Sequence, residues 1–293
     1  MILITGASGF VGQNLIKFLG NTWPIKAISR RALNHISAYD FKNIDCVIHL
    51  AGKAHDLKQT STPDEYYHVN YELTKNLFNA FLSSDAKKFI FISSVKAAAD
   101  VVSDILYETD VPDPKTDYGK SKLLAEEYIQ REVLPEKFYY ILRPCMIYGS
   151  GNKGNFNLLY KFVKTGIPFP LASFENKRSF LNIENLCFII RELILNQVLS
   201  GIYNMADDDA LSTNQLISIL AEGKKAKLWY IPKGIIKIAA KAGDYLKLPL
   251  NTETLQKLTE NYVVSNQKIK GVLGKELPVS AKDGFKKTVR TLK

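Results

Sequence analysis

Thr5-Gly6-Ala7-Ser8-Gly9-Phe10-Val11-Gly12 stands directly behind the apolar run Ile2 to Thr5 and directly ahead of the helical pattern Leu15, Ile16, Phe18 and Leu19. A strand, a glycine-rich turn and a helix in that order make a sharp bend. The glycines at 6, 9 and 12 let the backbone reach a pyrophosphate without intervening side chains and let the helix pack close to the sheet. The helix then presents free N–H groups and its positive dipole end to the phosphates. Gly6, Ser8, Gly9, Phe10, Val11 and Gly12 are therefore candidate cofactor-binding residues.

Outward from this turn, short buried-looking runs alternate with helical patterns, which is the mark of a parallel sheet flanked by helices. Ile2 to Thr5, Ile25 to Ser29, Cys46 to Leu50, Phe89 to Ser93 and Tyr139 to Leu142 read as strands. Thr62-Pro63-Asp64-Glu65 supplies an N-cap, a proline at the first helical position and a glutamate at N3, predicting a helix to about Leu82. Thr116 or Asp117 opens another, to about Arg131. Beyond Gly149 the pattern loosens around Gly151, Gly154, Gly166, Pro168 and Pro170. The expected fold is α/β: a Rossmann-type doubly wound parallel sheet over residues 1–150. Residues 151–293 form mainly a smaller C-terminal substrate lobe, with some segments returning to the sheet.

With 293 residues, 46% hydrophobic and 23% charged, the composition is that of a globular protein able to bury its own core. No apolar run approaches the roughly 18 residues of a membrane span, and the opening Met-Ile-Leu-Ile-Thr-Gly does not read as a secretory signal. Cys46, Cys145 and Cys187 are far apart and lack a CxxC or histidine companion, so no metal site is expected. Together these features suggest a cytoplasmic protein. The net charge of +10 is concentrated in residues 224–293, with 16 Lys and Arg against 5 Asp and Glu. Lys233, Lys237 and Lys241 recur every four residues among Ile235, Ile236, Ile238 and Ala239. That is either a solvated lysine face or a basic amphipathic helix able to associate weakly with a membrane surface. Nothing points to nucleic acid.

Two further motifs carry chemistry. Tyr118-Gly119-Lys120-Ser121-Lys122 places Tyr118 and Lys122 one helical turn apart on one face. A phenol with a pKa near 10 is a poor acid or base at neutral pH, and an ammonium beside it stabilises the phenolate. Phe91-Ile92-Ser93-Ser94 ends a strand with a hydroxyl that can hydrogen-bond the reacting oxygen. Ser94, Tyr118 and Lys122 are the candidate catalytic residues. The G-x-x-G-x-x-G turn, the strand-end serine and Tyr-x-x-x-Lys, in that order, resemble the short-chain dehydrogenases. The resemblance spans essentially the whole chain and is closest to the extended branch, the NAD-dependent epimerase/dehydratase family that processes nucleotide sugars.

The resemblance assigns further residues. Val47-Ile48-His49-Leu50-Ala51-Gly52-Lys53 looks like the family segment that lines the cofactor, which implies cofactor contacts at Leu50, Ala51, Gly52 and Lys53. Asn70 matches a mid-helix asparagine, and Tyr118 and Lys122 also border the cofactor in the family. Leu142-Arg143-Pro144 through Tyr148-Gly149 is similar to the strand and turn beside the nicotinamide. Asn155 and Arg178 fall where relatives hold the substrate diphosphate, with Ser94 as a further substrate contact. Sugar 4,6-dehydratases carry Thr-Asp-Glu where this chain has Ser94-Val95-Lys96, which argues against dehydration. Ser29-Arg30-Arg31 replaces the acidic residue of NAD-preferring members, so NADP(H) is favoured over NAD(H) through Arg30 and Arg31. The C-terminal third is similar to a bacterial subgroup of surface-polysaccharide pathways. The resemblance implies reduction of the C4 ketone of a UDP-4-keto-6-deoxy-N-acetylhexosamine, with UDP-sugar 4-epimerisation as the alternative. A binding protein that senses NADP without turnover is the distant third. The expected partner is a UDP-sugar, and the chain could act as a homodimer.

Overall fold

The computed structural model describes residues 1–53, 61–152, 155–221, 226–248 and 250–291. Its strands are β1 (Ile2–Thr5), β2 (Ile25–Ile28), β3 (Cys46–His49), β4 (Lys88–Ile92), β5 (Ile105–Leu106), β6 (Phe138–Pro144), β7 (Met146–Tyr148), β8 (Phe180–Asn182), β9 (Gly201–Met205) and β10 (Val263–Val264). Six of them form one sheet in the order β2-β1-β3-β4-β6-β9, parallel throughout. The strand order reverses between β1 and β3, and the crevice beyond the carboxyl ends of such a pair is where open α/β sheets take ligands.

Strand residues alternate between two cores. Ile2, Ile4, Ile48, Ile90 and Leu142 face α1 (Phe10–Leu19), whereas Leu3, Val47, Phe89, Phe91 and Ile141 lie on the opposite side. That second layer holds α2 (Pro63–Tyr67), α3 (Leu73–Leu82) and α4 (Asp117–Glu132), with Leu77, Phe78, Ala125 and Ile129 buried from α3 and α4. Helices on both faces make the sheet doubly wound.

The expected helix from Thr62 to Leu82 is one continuous rod with a π turn at its centre. Thr62 and Glu65 form the capping box, and Pro63–Tyr67 passes through the π turn His68–Glu72 into α3. The wider turn carries Asn70, which is fully buried. Such turns concentrate at functional sites.

Later segments return to the sheet. After α5 (Asn155–Lys164), α6 (Ile183–Leu195) joins the α1 side through Leu186, Ile190 and Leu193, and β9 supplies the sixth strand. The remaining helices are α7 (Thr213–Leu220), α8 (Lys233–Leu246), α9 (Thr252–Thr259), α10 (Gln267–Leu273) and α11 (Ala281–Arg290). Two smaller cores serve this C-terminal part. In one, Phe285 of α11 stacks on Tyr148 at 3.7 Å between ring centroids. In the other, α7, α8 and α9 meet through Ile217, Ile236 and Leu255. No helix among the described residues is long and apolar enough to cross a membrane.

Candidate active site

The glycine turn is built as the sequence predicts. Gly6 has φ +71°, and a Cβ there would come within 2.7 Å of the Ala51 nitrogen. A Cβ on Gly12 would lie 2.4 Å from the Gly6 carbonyl oxygen. Neither position tolerates a side chain, so the two glycines fix how tightly α1 seats on the sheet. Gly9 is the N-cap of α1, has no side-chain cap, and meets only the Gly6 oxygen within 4 Å of its ideal Cβ. An uncapped helix N-terminus above an open glycine fits a dinucleotide pyrophosphate. Arg30 and Arg31 lie one residue beyond β2 and are exposed, and Arg31 leads the 3₁₀ turn Ala32–His35. Two guanidiniums at that strand end could meet a phosphate.

The turn is joined to the segment Leu50–Lys53 and so to α4. Gly52 lies over Lys122: its ideal Cβ would sit 3.0 Å from Lys122 Nζ and 3.1 Å from Asn70 Oδ1. Asn70 accepts from the Lys53 backbone N–H (2.7 Å) and donates both to the Lys53 carbonyl and to Ser121 Oγ (each 3.1 Å). Its amide is thus committed to holding the 50–53 segment against α4. Lys53 Nζ pairs with Glu65 at 2.6 Å.

A hydrogen-bond relay runs behind this segment. The Ala51 N–H donates to Thr5 Oγ1 at 3.1 Å, and Thr5 Oγ1 meets His49 Nδ1 at 2.6 Å. His49 Nε2 meets Thr74 Oγ1 at 2.9 Å, and Thr74 Oγ1 donates to the Asn70 carbonyl. The Thr74 proton is spent on Asn70, so Nε2 carries the imidazole hydrogen and Nδ1 accepts from Thr5. Burial holds His49 in the neutral form, pulling its pKa down to about 3, with Lys122 adding to the fall.

The linkage sign follows directly. Below an ordinary value near 6.5 the unfolded chain binds a proton that folded His49 refuses, so this stability is present above 6.5 and declines as pH falls towards 3. Asp207 acts oppositely. Burial raises it to about 6, so its contribution is full below the ordinary carboxylate range and is lost as pH rises through 6. Comparing wild type with His49→Gln cancels Asp207. Between pH 7 and 5 the wild type is expected to lose about 2 kcal/mol more than the variant, read from urea midpoints at the two pH values. Parallel profiles would show that His49 is not held neutral.

Ser94, Tyr118 and Lys122 come together at the carboxyl end of β4. Thr116 caps α4 through the Gly119 N–H, fixing the first turn that carries Tyr118. Gly119 packs under the serine turn, where a Cβ would lie 2.4 Å from the Lys96 carbonyl oxygen. Ser94 is buried, caps the short turn Val95–Ala97 and hydrogen-bonds the Tyr118 phenol. The half-buried Tyr118 ring stands edge-on to Tyr66 at 6.1 Å. Lys122 Nζ donates to the Ile92 carbonyl (2.9 Å) and lies 4.7 Å from the Phe91 ring centroid.

The electrostatics differ from the expectation that Lys122 depresses the tyrosine. In the protein alone, burial pushes the Tyr118 phenol above its ordinary value, the Ser94 hydrogen bond opposes the rise and Tyr66 adds to it. Burial lowers Lys122 itself to about 8, with Glu126 opposing. The phenol is therefore neutral at pH 7, one helical turn from the Lys122 ammonium.

Glu126 belongs to none of the sequence motifs. One turn beyond Lys122 and fully buried, it takes the Ser93 hydroxyl and the Arg143 guanidinium, with Nε at 3.0 and 3.1 Å and Nη2 at 2.5 Å. The spacing Tyr118, Lys122, Glu126 at i, i+4 and i+8 is the signal that could have found it.

Of the proposed diphosphate residues, Arg178 forms a β-bridge with Tyr262, whose hydroxyl donates to the Val95 and Ala99 carbonyls beside the serine turn. Arg178 is half-buried, and its backbone exchanges hydrogen bonds with Leu211 at 3.0 and 2.9 Å. Burial lowers its guanidinium pKa, with Glu260 and Tyr262 opposing. Asn155 begins α5, and its side chain lies outside the described residues.

The sequence model of the NAD dependent epimerase/dehydratase family matches residues 2–206. The UDP-glucose 4-epimerase of Vibrio cholerae is 31% identical over 99% of this chain and 94% of that protein. The N-acetyl-alpha-D-glucosaminyl-diphospho-ditrans,octacis-undecaprenol 4-epimerase of Escherichia coli O157:H7 is 29% identical over 78% of this chain and 73% of its own. Among solved structures, MoeE5 in complex with UDP-glucuronic acid and NAD superposes with a TM-score of 0.77 at 20% identity, covering 99% of this chain and 98% of that one, which shows the shared fold.

Proposed function

The chain belongs to the NAD dependent epimerase/dehydratase family, and from that premise we propose that it oxidises and re-reduces C4 of a UDP-linked sugar, with 4-epimerisation as the net reaction. The observation that carries this is the Ser94 hydroxyl bonded to the Tyr118 phenol, one helical turn from buried Lys122 and adjoining the glycine turn through Ala51 and Gly52.

A dinucleotide held at the glycine turn would supply the hydride acceptor and donor for C4. The protein's part is the proton. Tyr118 Oη takes the proton of the C4 hydroxyl and gives it back, while Ser94 Oγ bonds the same oxygen as its charge changes. Lys122 stabilises the phenolate form of Tyr118 during the oxidative half. Inversion at C4 requires the sugar to present its other face before reduction, so the substrate must turn within the site. Residues 151–293 supply the substrate lobe in this reading, with Asn155 and Arg178 on the diphosphate.

Net reduction of a UDP-4-keto-6-deoxy-N-acetylhexosamine is the second reading. It is favoured by the exposed Arg30 and Arg31 at the end of β2, which suit the 2′-phosphate of NADPH, and by the raised Tyr118 phenol, which suits a proton donor. Incubating the purified protein with UDP-glucose or UDP-N-acetylglucosamine distinguishes the two. The C4 epimer should form with catalytic NAD and no net cofactor change. Consumption of one NADPH per UDP-4-keto-6-deoxy sugar, without epimer formation, would replace the epimerase by the reductase. The Escherichia coli O157:H7 relative is named for a polyprenyl diphosphate sugar, so a lipid-linked diphosphate sugar belongs in the same assay. On the cofactor side, Arg30→Ala/Arg31→Ala should weaken NADPH by about 10-fold or more while sparing NADH. Equal losses for both cofactors would show that the arginines do not read the phosphate.

A further inference from the structure

We propose that one exposed face of α8 docks the protein onto a membrane surface rich in anionic headgroups. The helix has three faces instead of the two of an ordinary amphipathic helix. Ile236, Ala240 and Gly243 are buried, and Gly243 packs so closely on the Leu250 carbonyl that a Cβ would approach its oxygen to 1.8 Å. Advancing about 100° per residue, Lys233, Asp244, Lys237 and Lys241 form the next arc, which stays net basic with three ammonium groups to one carboxylate. Ile235, Ile238, Ala242, Tyr245 and Leu246 fill the third.

That third arc faces solvent. Ile238 is 70% exposed and Tyr245 91%, and Ile235 and Leu246 are more than half exposed. Trp229 and Tyr230, immediately ahead of the helix, are exposed by 61% and 66%. Burial of the inward stripe accounts for the helix's attachment, and it leaves this second apolar surface with no role in the fold. A contiguous apolar surface of this kind marks an interaction site.

Charge identifies the occupant. Among the described residues no ion pair engages Lys233, Lys237 or Lys241. Asp244 is the one carboxylate on the helix, and it accepts hydrogen bonds from the Thr252 backbone and hydroxyl at the start of α9. A basic arc beside an aliphatic and aromatic arc fits the headgroup boundary: the apolar side chains enter it while the ammonium groups meet phosphates. The wider C-terminal region, with 16 basic residues against 5 acidic, adds to the attraction. A second copy of this chain would instead bring the same lysines together without carboxylates to offset them. The docking does not depend on which sugar reaction the site performs.

Flotation of the full-length protein with vesicles tests the proposal. Binding is expected to phosphatidylcholine vesicles containing phosphatidylglycerol, not to phosphatidylcholine alone, and to weaken with salt. Each lysine near an anionic surface is worth about fivefold in partition, so Lys233→Ala/Lys237→Ala/Lys241→Ala should bind about 100-fold more weakly. Ile238→Ser/Tyr245→Ser should also lower binding, with turnover of a soluble UDP-sugar unchanged in both variants. The proposal is overturned if the wild type does not float with phosphatidylglycerol vesicles, or if the triple variant floats as well as wild type. It is equally overturned if Ile238→Ser/Tyr245→Ser separates a dimer into monomers without altering vesicle binding.

Discussion

Tyr118→Phe is expected to lower turnover by about 10² to 10⁴-fold, the usual worth of a positioned proton donor or acceptor. The substitution keeps the ring and its edge-on contact with Tyr66 and deletes only the hydroxyl that bonds Ser94. Cofactor affinity should stay close to wild type, because the glycine turn and the Leu50–Lys53 segment are held by Thr5, Asn70 and their own backbone. The measurements are single-turnover product formation and titration of the cofactor by fluorescence. A loss confined to the chemical step is the expected result. Wild-type turnover in Tyr118→Phe would remove the residue from the mechanism, whichever net reaction the enzyme performs. Loss of cofactor binding alone would make its role structural.

Glu126→Ala is expected to destabilise the protein by about 3 to 5 kcal/mol, because it leaves a charged guanidinium buried without its partner. Arg143 is 1% exposed and Glu126 is fully buried, so water cannot replace the lost carboxylate. One guanidinium nitrogen of Arg143 already lacks a protein partner, so little capacity remains to absorb the change. A loss of this size is a large part of the total stability of a typical domain. It would be read as a lowered urea midpoint at constant slope. Replacing both partners by apolar residues, Glu126→Leu with Arg143→Met, should recover much of the loss, since removing both charges also removes their desolvation cost. Glu126→Gln keeps the volume but removes the charge that holds Lys122 up. The Lys122 ammonium, already lowered to about 8, should fall further and move the alkaline limb of the pH–rate profile to lower pH. A purely structural Glu126 would leave that limb where it is.

Much of the fold was legible in the sequence because it rests on local periodicity. A buried strand, three glycines at fixed spacing and an amphipathic helix specify one turn geometry, and the backbone at Gly6 and Gly12 admits nothing larger. The capping box at Thr62 and Glu65 and the cap at Thr116 are equally local, and both helices start where those residues predict. Tyr118 and Lys122 share a helix face for the same reason.

Local spacing along the chain thus specifies the set of elements and the residues that share a face within each of them. The tertiary structure alone decided which faces meet. Ser93, Glu126 and Arg143 come from three elements, and their buried cluster exists because β4 pairs with β6 while α4 covers both. The parallel order that sets β1 beside β3 joins Thr5, His49 and Thr74 into a relay. The phenol of Tyr118 is raised and not lowered because burial outweighs the Ser94 hydrogen bond, and burial is a property of the packed molecule. On α8, spacing alone fits either a solvated lysine face or a surface-binding one. Packing decided that Ile236, Ala240 and Gly243 turn inward and that Ile235, Ile238 and Tyr245 remain in water. Spacing along the chain fixes angles within one helix or strand, whereas burial and charge pairing depend on groups that only the folded topology brings within a few ångströms.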